Sequence, residues 1–167
     1  MTRKVLIGVI GPGDASEGEL MFAREMGRLL AKRNWVLLSG GRNTGVMAAA
    51  NEGAHAEGGL TVGLLPDESS DASPEVDIVI RTGLGSARNN LIALSADVLV
   101  ACGAGAGTTA EIALGIKAGT PVILLGVRDL VAEYFFELGG ALVSRVESPA
   151  EAIAMIESRL SRSSRNV

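Results

Sequence analysis

Residues 83–122 read GLGSARNNLIALSADVLVACGAGAGTTAEIALGIKAGTPV, and the alternation of apolar and glycine-rich segments within them decides the fold. Asp97 to Cys102 is an apolar run of strand length, Gly103-Ala104-Gly105-Ala106-Gly107 interrupts it, and Thr108 to Ala118 carries helically spaced apolar residues at Ile112, Leu114 and Ile116. The order is therefore strand, glycine loop, helix. Glycines let the backbone turn tightly and approach a ligand, and the helix start presents unpaired N–H groups and the positive end of a dipole. Such a loop suits an anion, phosphate above all.

A glycine loop also serves merely to pack a helix against a strand, so its polar neighbours matter. Arg88 opens the helix before this strand and Glu111 falls in the first turn of the helix after it, which turns both toward the crevice at the strand's carboxyl end. Glu111 has two readings: Thr108-Thr109-Ala110-Glu111 matches a capping box, in which the glutamate reaches back to the cap N–H, or else its carboxylate meets a ligand. Arg88 reads either as a solvated arginine or as a ligand contact. The small residues Gly83, Gly85, Ser86 and Ala87 favour the contact, because they offer the side chain little local packing.

Outward from this stretch the pattern repeats. Lys4 to Ile10 is an almost unbroken apolar run, as in a strand buried on both faces of a parallel sheet, and Gly11-Pro12-Gly13-Asp14 turns the chain into an amphipathic helix from Ser16 to Lys32, with Ser16 and Glu19 placed as a capping box. Gly11-x-Gly13-x-x-Ser16 lacks the third glycine of a dinucleotide fingerprint, and the next strand, Trp35 to Leu38, ends at Ser39 rather than at a ribose-binding acid, which argues against NAD. Gly40 and Gly45 have the spacing of P-loop glycines, but Val46 and Met47 stand where the lysine and hydroxyl residue must be, so a Walker NTPase is excluded. The loop Gly40-Gly41-Arg42-Asn43-Thr44-Gly45, ahead of a helix from Val46 to Glu57, reads as a second phosphate cradle built from backbone N–H groups and Thr44, or as a tight turn. Strands are expected at Leu60–Leu65, Asp77–Arg81, Pro121–Leu125 and Ala141–Val146, with helices at Leu130–Leu138 and from Pro149. Pro66 to Glu75 reads as a solvated acidic loop, and residues 161–167 as a disordered tail. The alternation gives an α/β sandwich around a mainly parallel sheet, one domain over residues 1–160.

Composition narrows the function. A net charge of −4 with scattered Lys and Arg, and only 3% aromatics, gives neither the electrostatic footprint nor the stacking platforms of a nucleic-acid binder. One Cys and one His exclude a disulfide framework and a thiolate or imidazole metal cluster, so no metal site is expected. The longest apolar runs are strand length and the start lacks a signal peptide's features, which points away from membranes and to the cytoplasm. Tyr134, Phe135 and Phe136 on one helix suggest packing or a dimer surface.

Gly40-Gly41, Gly45-Val46-Met47, Ala87-Arg88-Asn89, Ser95-Ala96-Asp97 and Gly105-x-Gly107-Thr108-x-x-Glu111 occur in an order and spacing that resembles the Lonely Guy (LOG) and molybdenum cofactor carrier superfamily, over about Lys4 to Leu160. The resemblance implies a Rossmann-like three-layer fold and a homo-oligomer, dimer or tetramer. It also implies a phosphorylated ligand held by Gly40, Gly41, Thr44, Gly45, Arg88, Asn89, Gly105, Ala106, Gly107, Thr108 and Glu111. LOG enzymes cleave the N-glycosidic bond of nucleoside 5′-monophosphates, and their functional arginine and glutamate match Arg88 and Glu111. Asn89, Gly103 and Ala104 stand where those enzymes have lysine, proline and glycine. The Ala-Arg-Asn form resembles the carrier branch instead, which implies a binding protein for molybdopterin or a nucleoside monophosphate with no further cofactor required.

Overall fold

Every strand-length apolar run of the sequence is a strand of one sheet. The computed structural model describes residues 3–163. In chain order the elements are β1 (Leu6–Ile10), α1 (Glu17–Lys32), β2 (Val36–Ser39), α2 (Gly45–Ala56), β3 (Thr61–Leu65), β4 (Ile78–Arg81), α3 (Arg88–Ser95), β5 (Val98–Cys102), α4 (Ala106–Ala118), β6 (Val122–Leu125), α5 (Asp129–Gly139), β7 (Val143–Val146) and α6 (Pro149–Ser163). Sheet order is β4-β3-β2-β1-β5-β6-β7, and every pairing is parallel. The expected mainly parallel, Rossmann-like sheet is thus wholly parallel in its named strands.

From β1 the chain builds outward through β2, β3 and β4, then returns to β5 on the other side of β1. The order reverses between β1 and β5, and a crevice opens beyond the carboxyl ends of strands at such a switch point. Successive strand residues face opposite layers. Val98, Val100 and Cys102 of β5 pack under α1, α2 and α6, whereas Leu99 and Ala101 pack under α3, α4 and α5. Both layers are filled mainly from Ala, Val, Ile and Leu, and α1 and α2 meet backbone to backbone: a Cβ at Gly27 would lie 2.0 Å from the carbonyl oxygen of Ala50, and one at Gly53 1.9 Å from that of Arg24.

Local signals are realised at several ends. Ser16 and Glu19 form the reciprocal capping box of α1, and Pro149 opens α6. That helix runs to Ser163, so it takes in the first residues of the expected tail, whose remainder, 164–167, lies outside the described residues. Phe135 is fully buried, while Tyr134 and Phe136 are 59% and 38% exposed. The acidic segment after β3 is anchored rather than free: Arg81 donates to the carbonyls of Glu68 and Ser70 at 2.8 and 3.2 Å, and Ala72 bridges to Arg42. Among the described residues no helix is long and apolar enough to cross a membrane.

Candidate functional site

At the switch point a cavity of about 240 Å³ opens between three loops. The loop after β1 contributes Gly11, Pro12 and Gly13, the loop after β2 contributes Gly40 and Arg42, and the β5–α4 turn contributes Gly105 to Thr108. Arg88 and Asn89 enter from the start of α3, and Glu111 and Met47 from α4 and α2.

The two glycine loops, which look alike in sequence, differ in what their donors do. Around the α2 start three donors are consumed internally. The Gly41 N–H donates to the Ser39 hydroxyl at 3.1 Å, the Thr44 hydroxyl to the Gly13 carbonyl at 3.0 Å, and the Val46 N–H to the Pro12 carbonyl at 3.1 Å. Gly45 has φ +54, and a Cβ there would lie 2.3 Å from the Pro12 carbonyl oxygen, so its glycine serves the join between loops. Gly41, Thr44 and Gly45 therefore do not line the cavity. Of the expected second cradle, Gly40 and Arg42 reach the pocket and the remainder braces the neighbouring loop.

The α4 start, unlike that of α2, lines the cavity. Gly105 is its N-cap and no side chain caps the first turn, which leaves the N–H groups there to the cavity that Ala106, Gly107 and Thr108 line. A Cβ at Gly107 would meet nothing within 4 Å, so no packing inside the protein requires glycine at this helical position. Because α4 starts at Ala106, Glu111 stands beyond the first turn. The capping-box reading is thereby corrected.

Glu111 instead pairs with Arg88 at 3.1 Å, with side chains only 8% and 11% exposed. Burial pushes the Glu111 carboxyl up to about 7, opposed by the charge and hydrogen bond of Arg88. Arg88 also donates to the Asn89 side chain, while its buried Nε has no partner among the described residues. Arg88 lines the cavity while its Nε is enclosed, and a guanidinium in a cavity wall is suited to an anionic oxygen. Eight of the eleven expected ligand residues meet here: Gly40, Arg88, Asn89, Gly105, Ala106, Gly107, Thr108 and Glu111. The sequence offers Gly11 and Gly13 only as an incomplete dinucleotide fingerprint and Arg42 only as part of the second glycine loop, so Gly11 to Gly13 and Arg42 are not among the expected ligand residues. The first sits directly after the opening strand, the position at which a parallel sheet presents its switch-point loop. For Arg42 no sequence signal distinguishes it from other loop arginines.

A wholly parallel Rossmann-like sheet, with an open helix start and a buried arginine at its switch point, defines a protein that binds small ligands in that crevice. Residues 4–153 match the SLOG cluster4 family, and the chain belongs to it. It is similar to the molybdenum cofactor binding protein of the phototrophic bacterium Rippkaea orientalis, with 47% identity and a TM-score of 0.92 over 96% of this chain and 99% of that one. The Moco carrier protein of Chlamydomonas reinhardtii is similar to the same degree, with 48% identity, a TM-score of 0.92 and the same coverage of both chains. An uncharacterized protein of Archaeoglobus fulgidus is 40% identical over 129 residues, 73% of this chain and 85% of that protein. These matches agree with the superfamily expected from the motifs.

Proposed function

We propose that this protein is a cytoplasmic carrier that binds a phosphorylated, nucleotide-like ligand, the molybdenum cofactor foremost, and holds it without breaking a bond. The observation that carries this reading is which helix start faces the cavity: Ala106, Gly107 and Thr108 of α4 line it together with Arg88, whereas Thr44, Gly45 and Val46 at the α2 start do not. A phosphate fits that donor set. Similarity to two molybdenum cofactor proteins supports the pterin cofactor as the ligand. The residues suit its phosphate-bearing end, with Gly105 to Thr108 and Arg88 as the phosphate seat and Asn89 beside it. Cys102 is fully buried and outside the cavity lining, so the cofactor's metal would stay on the cofactor's own ligands.

Hydrolysis is disfavoured by the departures from the LOG pattern, since Asn89, Gly103 and Ala104 stand where those enzymes have lysine, proline and glycine. Glu111 itself is paired with Arg88 at 3.1 Å. Titration calorimetry with AMP, paired with an assay for ribose 5-phosphate, tests the reading: binding without release is expected of the wild type. Sustained release that disappears in Glu111→Gln, with AMP affinity unchanged, would install the hydrolase instead.

The carrier is also proposed to be a homo-oligomer. Edge strand β4 is exposed along its length at Ile78, Val79 and Ile80, and Leu84 and Leu94 extend the apolar surface onto α3 and the turn before it. Exposed apolar side chains along an unpaired sheet edge suit an interface, and a second copy of this chain is the occupant that the resemblance implies.

A further inference from the structure

The phosphate seat leaves Arg42 without a task. Of the ionisable side chains in the cavity, Arg88 and Glu111 bind each other, whereas Arg42 has no acceptor among the described residues. Its backbone is nonetheless fixed. Arg42 bridges to Ala72, the next residue's N–H donates to the Asp71 carbonyl at 3.1 Å, and the Ser73 N–H donates to the Gly41 carbonyl at 2.9 Å. An exposed guanidinium on a braced seat thus stands at the rim, on the loop after β2, whereas the phosphate seat is on the turn after β5. A guanidinium offers donors and no acceptor, so a ligand group that meets it must be an acceptor. The apolar lining includes Pro12 beside Gly105 and Met47 beside Gly40, with no aromatic side chain, so a ring gains contact here without stacking-based selection.

We infer that Arg42 determines specificity by reading the edge of the ligand's heterocycle, a ring carbonyl next to an unprotonated ring nitrogen. The inference rests on the phosphate-binding reading above. Arginine grips the O6 and N7 of guanine with two parallel hydrogen bonds, whereas adenine presents an amino donor at the matching place and repels it. A fully oxidised 4-oxopterin offers the same carbonyl and ring-nitrogen pair, whereas a reduced pterin, whose ring nitrogen there carries hydrogen, offers the carbonyl alone. The cavity therefore prefers 6-oxopurine nucleotides and oxopterin phosphates to adenine nucleotides.

Titration calorimetry of the full chain with GMP, AMP and inorganic phosphate, for wild type, Arg42→Gln and Arg42→Lys, tests this. The side chain is exposed and unpaired, so the variants keep the fold. Wild type is expected to bind GMP about tenfold or more tightly than AMP. Both variants should lose that preference while binding AMP and phosphate within about threefold of wild type, because lysine keeps the charge but not the fork. Equal GMP and AMP affinity in the wild type, or a preference that survives Arg42→Gln, would overturn the inference. So would an equal loss for GMP and phosphate, which would make Arg42 a phosphate contact. Failure of all three ligands to bind wild type would retire the phosphate reading and this inference with it, whereas binding of all three without discrimination would retire the inference alone.

Discussion

Burial and Arg88 pull on the Glu111 carboxyl in opposite directions, and burial prevails, raising it from its ordinary 4.5 to about 7. In that window the folded protein keeps a proton that the unfolded chain has released. The contribution of Glu111 to stability is therefore fully present below about pH 4.5 and is lost as pH rises toward 7. The shift corresponds to something on the order of 3 kcal/mol. Urea denaturation of wild type and Glu111→Gln across pH 4.5 to 8 should show the variant gaining on wild type by about that amount as pH rises, and a pH-independent difference would contradict the buried carboxyl. Gly107 gives a second test at this scale. Alanine is a better helix former than glycine by up to about 1 kcal/mol, and nothing inside the protein opposes its methyl group. Gly107→Ala should keep or raise the melting temperature while weakening phosphate or AMP binding by about tenfold, the loss of one charge-assisted hydrogen bond. Unchanged affinity would move the phosphate elsewhere. Gly103, by contrast, is fixed by its surroundings. Its φ of +78 is closed to proline and strained for other L residues, so the departure from the LOG proline goes with the turn the backbone makes after β5.

The α2 and α4 starts show at the element scale how one glycine loop comes to line the cavity while the other braces the β1 loop. The Thr44 hydroxyl holds the β1 loop against α2, so Thr44→Val should lower stability by about 1 kcal/mol in urea denaturation and leave phosphate affinity as it was. Loss of affinity would return α2 to the ligand site. This division was not legible in the sequence, because both loops offer the same residue types and only the neighbouring β1 loop, brought in by the sheet order, consumes the donors of one. The strands were legible, since buried parallel strands leave unbroken apolar runs such as Val98 to Cys102. The start of α4 was not. Ala106 and Gly107 add nothing to the apolar period, so the pattern began at Thr108, and that shift of two residues placed Glu111 in a capping box that the helix does not form. Arg88 and Glu111 were legible as a pair facing one crevice, but their 3.1 Å contact depends on the packing of α3 on α4.

At the scale of the whole molecule, the apolar run of β4 reads as interior yet lies exposed, since no helix joins β3 to β4 to cover it. Sedimentation at micromolar concentration is expected to give a dimer or tetramer. Ile80→Glu with Leu94→Glu should shift it to monomer at little expense in monomer stability, because both side chains are already 44% and 59% exposed. A monomeric wild type would remove the oligomer. The carrier reading itself is tested most directly by incubating the protein with molybdenum cofactor released from a molybdoenzyme, separating the mixture by gel filtration, and measuring molybdenum per chain for wild type and Gly107→Leu. The leucine projects into open space, so the fold should persist while the phosphate seat is blocked. Molybdenum retained by wild type and absent from Gly107→Leu is the expected result. Equal retention by both proteins, or none by wild type, would contradict a cofactor carrier seated on the α4 N-terminus.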